Sequence, residues 1–282
     1  MVETIIGMGE IAMGLSGDLL TALGLGSCVC VVLYDPVSKI GGAAHVMLPD
    51  STISSFVLPE RTVLLADADM NVRRHIREIL AQRDYTVIAE PKAKDELIDL
   101  YRQHHPSVSL VSAFLPPVNW TDAVQLLLQV DHQANVVILS PQTDRTFILD
   151  CLNRGVKDVV TDPFTEDKIV SSLDYVLFRR HLKFADFAIP ILRRRLIAMG
   201  AKQQNLIAMI AGGAHMFPSL KDEEVMRIGE RNVEAVKAQL HREGIRLVKE
   251  ETGANVGRTV RFDVASGELR VSTRNGLRTF SP

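Results

Sequence analysis

Residues 23–46 read LGLGSCVCVVLYDPVSKIGGAAHV. Two apolar segments, VCVVLY and IGGAAHV, flank the turn sequence DPVSK. Apolar segments of this length on either side of an Asp-Pro turn are typical of a β-hairpin. If the numbers of paired residues sum to about 73, Cys28 lies directly opposite His45, with their Cβ atoms roughly 4.5–5.5 Å apart. The hairpin therefore predicts that a thiol and an imidazole face each other.

A cysteine and a histidine at that distance are the minimum for an activated thiol nucleophile. Cys28 also follows a turn with glycines at 24 and 26, which lets the backbone present N–H groups to a neighbouring atom. The alternative is structural, since buried cysteines pack as small hydrophobes. We interpret Cys30, on the same strand face, as a packing residue. With Cys151 the chain has three cysteines, too few soft ligands for a metal site, and the sequence predicts no cofactor.

Downstream of Arg61 the pattern becomes an alternation of strands and helices. The apolar strands TVLLA, YTVIA, SVSLV, NVVIL and KDVV each precede a segment with helical spacing. Five β–α repeats over this length favour a parallel sheet covered by helices on both faces. The middle of the chain is therefore predicted to be an α/β doubly wound (βα)5 domain.

The two flanks lack this alternation. The C-terminal flank predicts a helix, a strand, a second helix and a hairpin, at Ile189–Met199, Leu206–Ala211, Gly229–Arg242 and RTVRFDV–ELRVST. Neither flank has enough apolar segments to close a core by itself. We therefore expect one α+β body, built from residues 1–57 and 182–282, which the (βα)5 domain at residues 58–181 interrupts.

Composition excludes several classes of protein. Of 282 residues, 46% are hydrophobic and 23% charged, as in ordinary globular proteins. A net charge of −2 gives no basic field for nucleic acid or an anionic membrane. The first residues, MVETIIGMGE, do not resemble a signal peptide, and the cysteines do not form a disulfide framework. We expect a cytoplasmic protein without membrane insertion.

The flanks resemble a known family. LGLGSCVCVVLYDP and IGGAAHVMLPDS look like the N-terminal half of CheD, the chemoreceptor glutamine deamidase family. The C-terminal flank resembles the second half of the same family. The similar stretches are FADFAIPIL (184–192), AGGAHMF (211–217), IGERNVEAV (228–236) and TGANVGRTVRFDVASGELRV (252–271). The similar motifs run through nearly all of both flanks, in the family's order and spacing.

This resemblance implies hydrolysis of glutamine side chains on the cytoplasmic helices of chemoreceptors, giving glutamate. Cys28 would attack the carboxamide, while His45 would take the thiol proton and later protonate the departing ammonia. Backbone N–H groups around Gly26 and Ser27 would hold the oxyanion.

The chain departs from the family pattern at the third catalytic position, a threonine six residues before the cysteine that orients the histidine. That position is Ala22 here, and Thr21 lies one residue earlier. Since neighbouring strand residues point to opposite faces, either a bulge returns Thr21 to the site or His45 lacks this support. His215 replaces the family's usual asparagine in the GGAxMF run, which we interpret as a surface or core change.

Residues 61–180 resemble a response-regulator receiver domain, through VLLADADMNVRRHIREIL and the late run Asp162-Pro163-Phe164. An active receiver needs two adjacent carboxylates for magnesium, a phosphoacceptor aspartate, a hydroxyl and a lysine. Here Asp67 and Ser140 remain. The second carboxylate position is Ala68, followed by Asp69. The phosphoacceptor position is Ala113 and the lysine position is Asp162. The resemblance thus implies a pseudo-receiver with no phosphorylation site and no metal, serving as a packing or docking module.

Two functions follow from these resemblances. The first is a protein-glutamine deamidase acting on chemoreceptors. The second is a catalytically weakened adaptor that binds chemoreceptors or CheC, a phosphatase of the chemotaxis pathway, with the pseudo-receiver as docking module. Ala22 favours the adaptor, whereas Cys28, His45 and the glycine turn favour the enzyme. A phosphorelay switch is opposed by Ala113 and Asp162.

Overall fold

The structure, a computed structural model, describes residues 2–53, 58–116, 120–142, 144–215 and 228–282. The chain divides into two compact units: residues 1–56 with 179–282, the host unit, and residues 57–178, the inserted unit. The sequence predicts these junctions after residues 57 and 181. Met216 and Phe217 of the AGGAHMF motif lie outside the described residues, as does Val57 at the first junction.

The inserted unit alternates strands with helices as the sequence predicts. Its elements are β6 (Thr62–Ala66), α1 (Met70–Ala81), β7 (Thr86–Ala89), α2 (Lys94–His104), β8 (Val108–Ser112), α3 (Trp120–Val130), β9 (Val136–Ser140), α4 (Arg145–Asn153), β10 (Asp158–Thr161) and α5 (Glu166–Leu177). The strands form one parallel sheet in the order β10-β9-β8-β6-β7. The carboxylate of Asp69 caps α1 at the N–H of Asn71, and the hydroxyl of Thr165 caps α5 at the N–H of Lys168. The predicted α/β doubly wound class is confirmed.

The host unit is an α+β body, as predicted, and its elements come from both flanks. They are β1 (Glu3–Ile6), β2 (Ile11–Leu15), β3 (Leu19–Leu25), β4 (Val29–Asp35), β5 (Ile40–Val46), α6 (Ala185–Ala198), β11 (Ile207–Gly212), α7 (Ile228–Arg242), β12 (Arg246–Thr252), β13 (Arg258–Asp263), β14 (Glu268–Thr273) and β15 (Gly276–Phe280). Short 3-10 helices occur at Ser51–Ile53, Arg179–His181 and Gln203–Asn205. No described helix of either unit is long and apolar enough to cross a bilayer.

Two sheets enclose the core of the host unit. One has the order β1-β3-β13-β14-β15 and the other β12-β11-β4-β5-β2. Both contribute buried side chains to a single apolar cluster, in which the rings of Tyr34 and Phe262 meet edge to face at 5.3 Å. Helices α6 and α7 pack on the second sheet. Two adjacent glycines of β5 allow close packing on both faces of its sheet. A Cβ on Gly41 would lie 2.7 Å from Phe262, and a Cβ on Gly42 would lie 2.7 Å from Leu192 of α6.

The hairpin of β4 and β5 forms, but its register differs from the prediction. His45 pairs with Cys30, and Asp35 pairs with Ile40, so the paired numbers sum to 75 rather than 73. The reason lies in the turn, where the carboxylate of Asp35 accepts hydrogen bonds from the N–H groups of Val37 and Ser38, at 2.8 and 3.2 Å. These bonds stabilise a four-residue loop in place of a two-residue one. The expectation that Cys28 lies directly opposite His45 is therefore wrong.

The host unit holds the two sides of the insertion together. The N–H groups of Met47 and Leu48 donate to the carbonyl of Lys183, at 2.9 and 3.0 Å, and the N–H of Ala185 donates to the carbonyl of Leu48. Leu48 and Phe184 also form a parallel bridge. The chain ends that flank the inserted unit are thus paired by the host unit's own backbone.

We predict that replacing residues 57–178 with a short Gly/Ser linker leaves a folded host unit. The entropy of loop closure changes by only about 0.6 kcal/mol per doubling of loop length, so a linker of about eight residues should raise the free energy of unfolding by no more than roughly 2–3 kcal/mol. Circular dichroism with a cooperative denaturant transition measures this. An excised fragment of residues 57–178 should show its own transition, and aggregation of the linker variant would show instead that the two units share a core.

Candidate active site

The turn Gly26-Ser27-Cys28, here the Cys28 turn, connects β3 to β4. Cys28 precedes the first residue of β4 and is partly exposed, whereas Cys30 is fully buried in the core. By the observed register Cys28 would pair with Met47, so it lies diagonally from His45 along the same face. Diagonal neighbours in a sheet are about 7–8 Å apart. The register thus assigns Cys28 and His45 to diagonal positions on one face, and not to a directly opposed pair.

The end of β11 fixes the backbone of the Cys28 turn. The N–H of Gly213 donates to the carbonyl of Cys28, and the N–H of Ala214 donates to that of Gly26, both at 2.8 Å. Gly212 has a φ of +127°, and a Cβ there would overlap the carbonyl oxygen of Cys28. Glycine is required at this position by both the backbone angle and the close approach. The glycine pair of the AGGAHMF motif therefore positions the nucleophile candidate.

His45 is a buried residue of β5 with one ring nitrogen engaged. Its Nδ1 lies 3.5 Å from the carbonyl oxygen of Ile6, on β1. Because a carbonyl only accepts, this contact places the proton on Nδ1 and the lone pair on Nε2. Nε2 is buried and has no hydrogen-bond partner among the described residues. This nitrogen is therefore available as an acceptor for the proton of a neighbouring group.

The surroundings keep His45 neutral. Burial lowers the pKa of His45, and the carbonyl of Ile6 and the charge of Glu10 only partly oppose this. A neutral imidazole with a free lone pair can act as a general base near neutral pH.

The two cysteines of this strand differ in acidity. Burial raises the pKa of the Cys28 thiol, while its own backbone N–H lowers it in part. Burial raises the pKa of Cys30 to about 12. Both thiols are therefore protonated at neutral pH, and Cys28 has a base nearby and a path to solvent. This contrast supports Cys28 as the reactive thiol and Cys30 as the packing residue.

Thr21 lies away from His45. Its hydroxyl donates to Oε1 of Glu3 at 2.7 Å, and the Nε of Arg261 lies 3.8 Å from the same oxygen. The neighbouring Ala22 points into the apolar cluster that contains Cys30. The register of β3 is regular at Thr21, and the irregularity in its pairing with β13 comes later, opposite residues 23–24. The structure therefore does not use a bulge to return Thr21 to the site.

His215 lies at the edge of the site. Its Nε2 lies 3.0 Å from Oε1 of the exposed Glu230 at the start of α7, and its N–H donates to the carbonyl of Ala254. This histidine thus makes a polar contact with an exposed carboxylate.

Sequence reasoning missed one residue at the Cys28 turn. Asn232 of α7 is fully buried, and its amide contacts the carbonyl of Ser27. Its signal in the sequence is a polar side chain on the apolar stripe of a helix, between Gly229, Val233 and Val236.

The former phosphorylation pocket of the inserted unit lacks the groups for phosphoryl chemistry. Ala113 is buried at the phosphoacceptor position. One carboxylate oxygen of Asp67 accepts the N–H of Asp69 at 2.8 Å, and the carbonyl of Asp67 accepts from the buried guanidinium of Arg73 at 2.6 Å. Within the described ranges, no cluster of three or more potential metal ligands occurs.

Known proteins match both parts of the chain. Residues 177–273 match the family described as CheD chemotactic sensory transduction, and residues 63–174 match the response regulator receiver domain. A protein of Lachnoclostridium phytofermentans named "Probable chemoreceptor glutamine deamidase CheD" is 25% identical over 268 residues, which cover 95% of this chain and 91% of that one. The "Chemoreceptor glutamine deamidase CheD" of Halalkalibacterium halodurans is 43% identical over 91 residues, 32% of this chain and 56% of its own.

Among solved structures, a two-component response regulator of the LuxR family from Aurantimonas sp. SI85-9A1 is 24% identical, with a TM-score of 0.40. It covers 48% of this chain and 97% of its own. The sequence matches define the class: a chain that joins an α+β body to a response-regulator receiver domain. Within the α+β body, residues 177–273 are similar to the CheD family.

We predict that iodoacetamide alkylates Cys28 in the folded protein and leaves Cys30 and Cys151 unmodified. Only the thiolate reacts, and the pKa of Cys28 is raised, so the rate should increase about tenfold per pH unit above neutrality. Peptide mass spectrometry of a time course at several pH values measures the rate of alkylation at each cysteine. A Cys28→Ser variant provides the control, and equal labelling of Cys28 and Cys30 in the native state would contradict the assignment.

Proposed function

We propose that this protein is a glutamine deamidase that converts side-chain carboxamides of chemoreceptors to carboxylates and releases ammonia. The names of its relatives indicate this substrate. The observation that carries the proposal is the buried, unpartnered Nε2 of His45 on the strand beside the turn that presents Cys28.

In the first half of the reaction, Nε2 of His45 takes the proton from the Cys28 thiol as the sulfur attacks the carboxamide carbon. The pKa shifts of both groups make this a proton transfer between neutral partners at the moment of attack. The tetrahedral intermediate collapses when the amide nitrogen takes the proton from Nε2 and leaves as ammonia. A thioester to Cys28 remains.

The second half hydrolyses the thioester. Nε2 of His45, again neutral, takes a proton from water as the oxygen attacks the thioester carbon. Collapse of the second intermediate breaks the carbon–sulfur bond, and the proton returns to the sulfur of Cys28. Glutamate is the product, and the enzyme is restored.

The negative charge on oxygen in both intermediates needs hydrogen-bond donors. Backbone N–H groups of the Cys28 turn serve this purpose in the proposal. The carbonyls of Gly26 and Cys28 are engaged by β11, which fixes the direction of the peptide planes between them.

The proposal sets the protein in the cytoplasm, with the cytoplasmic domain of a chemoreceptor as its substrate partner. All three cysteines are free thiols, as expected in a reducing compartment. CheC is a further proposed partner of the CheD-like body.

One observation favours the second candidate function, an adaptor of reduced activity. The hydroxyl of Thr21 is bonded to Glu3, and Ala22 presents only a methyl group at the position of the family's threonine. An adaptor would bind a chemoreceptor or CheC through the host unit and use the inserted unit as a docking module.

The nucleophile is tested on a purified receptor cytoplasmic fragment, with amide-to-acid conversion followed by peptide mass spectrometry. We predict that Cys28→Ala lowers kcat by at least about a thousandfold, because no thioester can form. His45→Gln should lower kcat by about 10²–10⁴, since the thiol loses its base.

Cys30→Ala is the matched control, because it removes the neighbouring thiol of the same strand face. It should keep most of the activity and lose about 1 kcal/mol of stability to the small cavity. If Cys28→Ala converts the receptor glutamines at the wild-type rate, Cys28 is not the nucleophile. Binding of the receptor fragment without any conversion by the wild type would support the adaptor.

The threonine position gives a separate prediction. Thr21→Ala should change kcat by less than about twofold and cost about 0.5–1.5 kcal/mol of stability, since it removes only the bond to Glu3. Ala22→Thr should raise kcat, because it returns a hydroxyl to the core-facing position. Steady-state rates with thermal unfolding measure both effects, and a tenfold loss in Thr21→Ala would assign Thr21 to catalysis after all.

A further inference from the structure

Asn232 connects the two halves of the candidate active site. Its side chain is completely buried, and its Nδ2 donates to the carbonyl of Ser27 and to the carbonyl of Met47, both at 2.9 Å. Carbonyls only accept, so the orientation of the amide is fixed and both of its hydrogens are used. Ser27 precedes Cys28, and Met47 follows His45 by two residues.

The position of Asn232 coincides with the end of the β4–β5 ladder. The last regular pair is Val29 with Val46, and the next would be Cys28 with Met47. At Met47 the backbone partners change: its N–H donates to Lys183 and its carbonyl accepts from Asn232. The amide of Asn232 thus replaces strand pairing at the position where the chain leaves the sheet to form the Cys28 turn.

The bond to Ser27 also sets the direction of the adjacent N–H. In a trans peptide the C=O and the next N–H point in opposite directions. Holding the carbonyl of Ser27 towards α7 turns the N–H of Cys28 away from that helix. All three carbonyls of the Cys28 turn have a donor, from Ala214, Asn232 and Gly213. Among the described residues, the N–H groups of Ser27 and Cys28 have no acceptor in another residue.

The side chain of Asn232 is only partly hydrogen-bonded. Its Oδ1 is buried and has no hydrogen-bond partner among the described residues. Leaving such an acceptor unsatisfied costs about 1–3 kcal/mol. Asn232 lies on the apolar stripe of α7, next to Val233 and Val236.

We infer that Asn232 is a positioning residue of the deamidase, whose amide holds the Ser27–Cys28 peptide so that its N–H is directed at the oxyanion. The inference rests on the proposed function and adds to it a residue that acts through the backbone. It also assigns a role to the segment IGERNVEAV, which no step of the reaction uses directly.

The experiment compares Asn232→Ala with Gln239→Ala in the full chain. Gln239 lies two turns further along the same helix face, is also buried, and donates from Nε2 to Glu243 at 3.0 Å. Each variant removes a buried amide, but only Asn232 contacts the Cys28 turn. On the receptor fragment, Asn232→Ala should lower kcat about 100-fold with KM changed less than about threefold, as for a misplaced catalytic group. Gln239→Ala should keep the wild-type kcat.

Amide hydrogen exchange supplies a readout that does not depend on the receptor. In Asn232→Ala the N–H groups of Gly213 and Ala214, which bond to the Cys28 turn, should exchange at least about tenfold faster, and in Gln239→Ala they should not. If Asn232→Ala does not fold, Asn232→Asp keeps the volume, removes the donors and should give the same two changes.

The outcomes separate the two proposals. Wild-type protein that leaves every receptor glutamine intact would overturn the deamidase, whatever exchange shows. If the wild type deamidates, two results would each overturn the role of Asn232. One is an equal kcat in Asn232→Ala, and the other is unchanged amide exchange at Gly213 and Ala214 in that variant. Equal losses of kcat in Asn232→Ala and Gln239→Ala would reduce that role to general stability and overturn it likewise.

Discussion

Backbone pairing between β4 and β5 stops at Val29 and Val46, and the candidate site depends on that stop. The backbone carbonyls beyond it take other partners, because polar backbone groups are costly to bury unpaired. Met47 finds Lys183 and Asn232, and Cys28 finds Gly213. These partners all come from the C-terminal flank, whereas the thiol and the imidazole come from the N-terminal flank. The site therefore exists only when both flanks have folded together, and this explains how one body can be encoded in two distant pieces.

Burial, rather than a strong charge, sets the chemistry of the pair. The pKa of Cys28 is raised and the pKa of His45 is lowered, so thiol and imidazole are both neutral at rest. The acceptor near Nδ1 is the carbonyl of Ile6, and Ile6 pairs with Ala22 in the parallel β1–β3 ladder. The strand beside Ala22 thus supplies a backbone oxygen close to the imidazole, next to the position where the resembling family has a threonine. A fixed tautomer needs an acceptor at Nδ1, and a main-chain carbonyl meets this need without a side chain.

The sequence predicts the inserted unit better than the host unit for a physical reason. Each β–α repeat carries its own local periodicity, so alternation of strands and helices can be seen in short windows. The host sheets include the short strands β1, β2 and β15, which are partly exposed and have no clear alternation. The register of β4 and β5 depends on the side chain of Asp35 in the turn, and the apolar pattern alone does not show it. The direction of Thr21 likewise depends on pairing between strands distant in sequence. The position of Asn232 could be predicted, because a polar residue on the apolar stripe of a helix can be recognised in the sequence.

The inserted unit has a receiver-like fold, and Ala113 stands where the resemblance places the phosphoacceptor. A phosphorylation switch needs a ligand that favours one of two states, and a methyl group at Ala113 cannot carry that ligand. Several polar side chains near this position are hydrogen-bonded inside the unit. Asp67 bonds to Asp69 and Arg73, and Nζ of Lys168 donates to the carbonyl of Thr161 at 3.0 Å. All the groups of the proposed reaction belong to the host unit, so the reaction as proposed uses no side chain of the inserted unit.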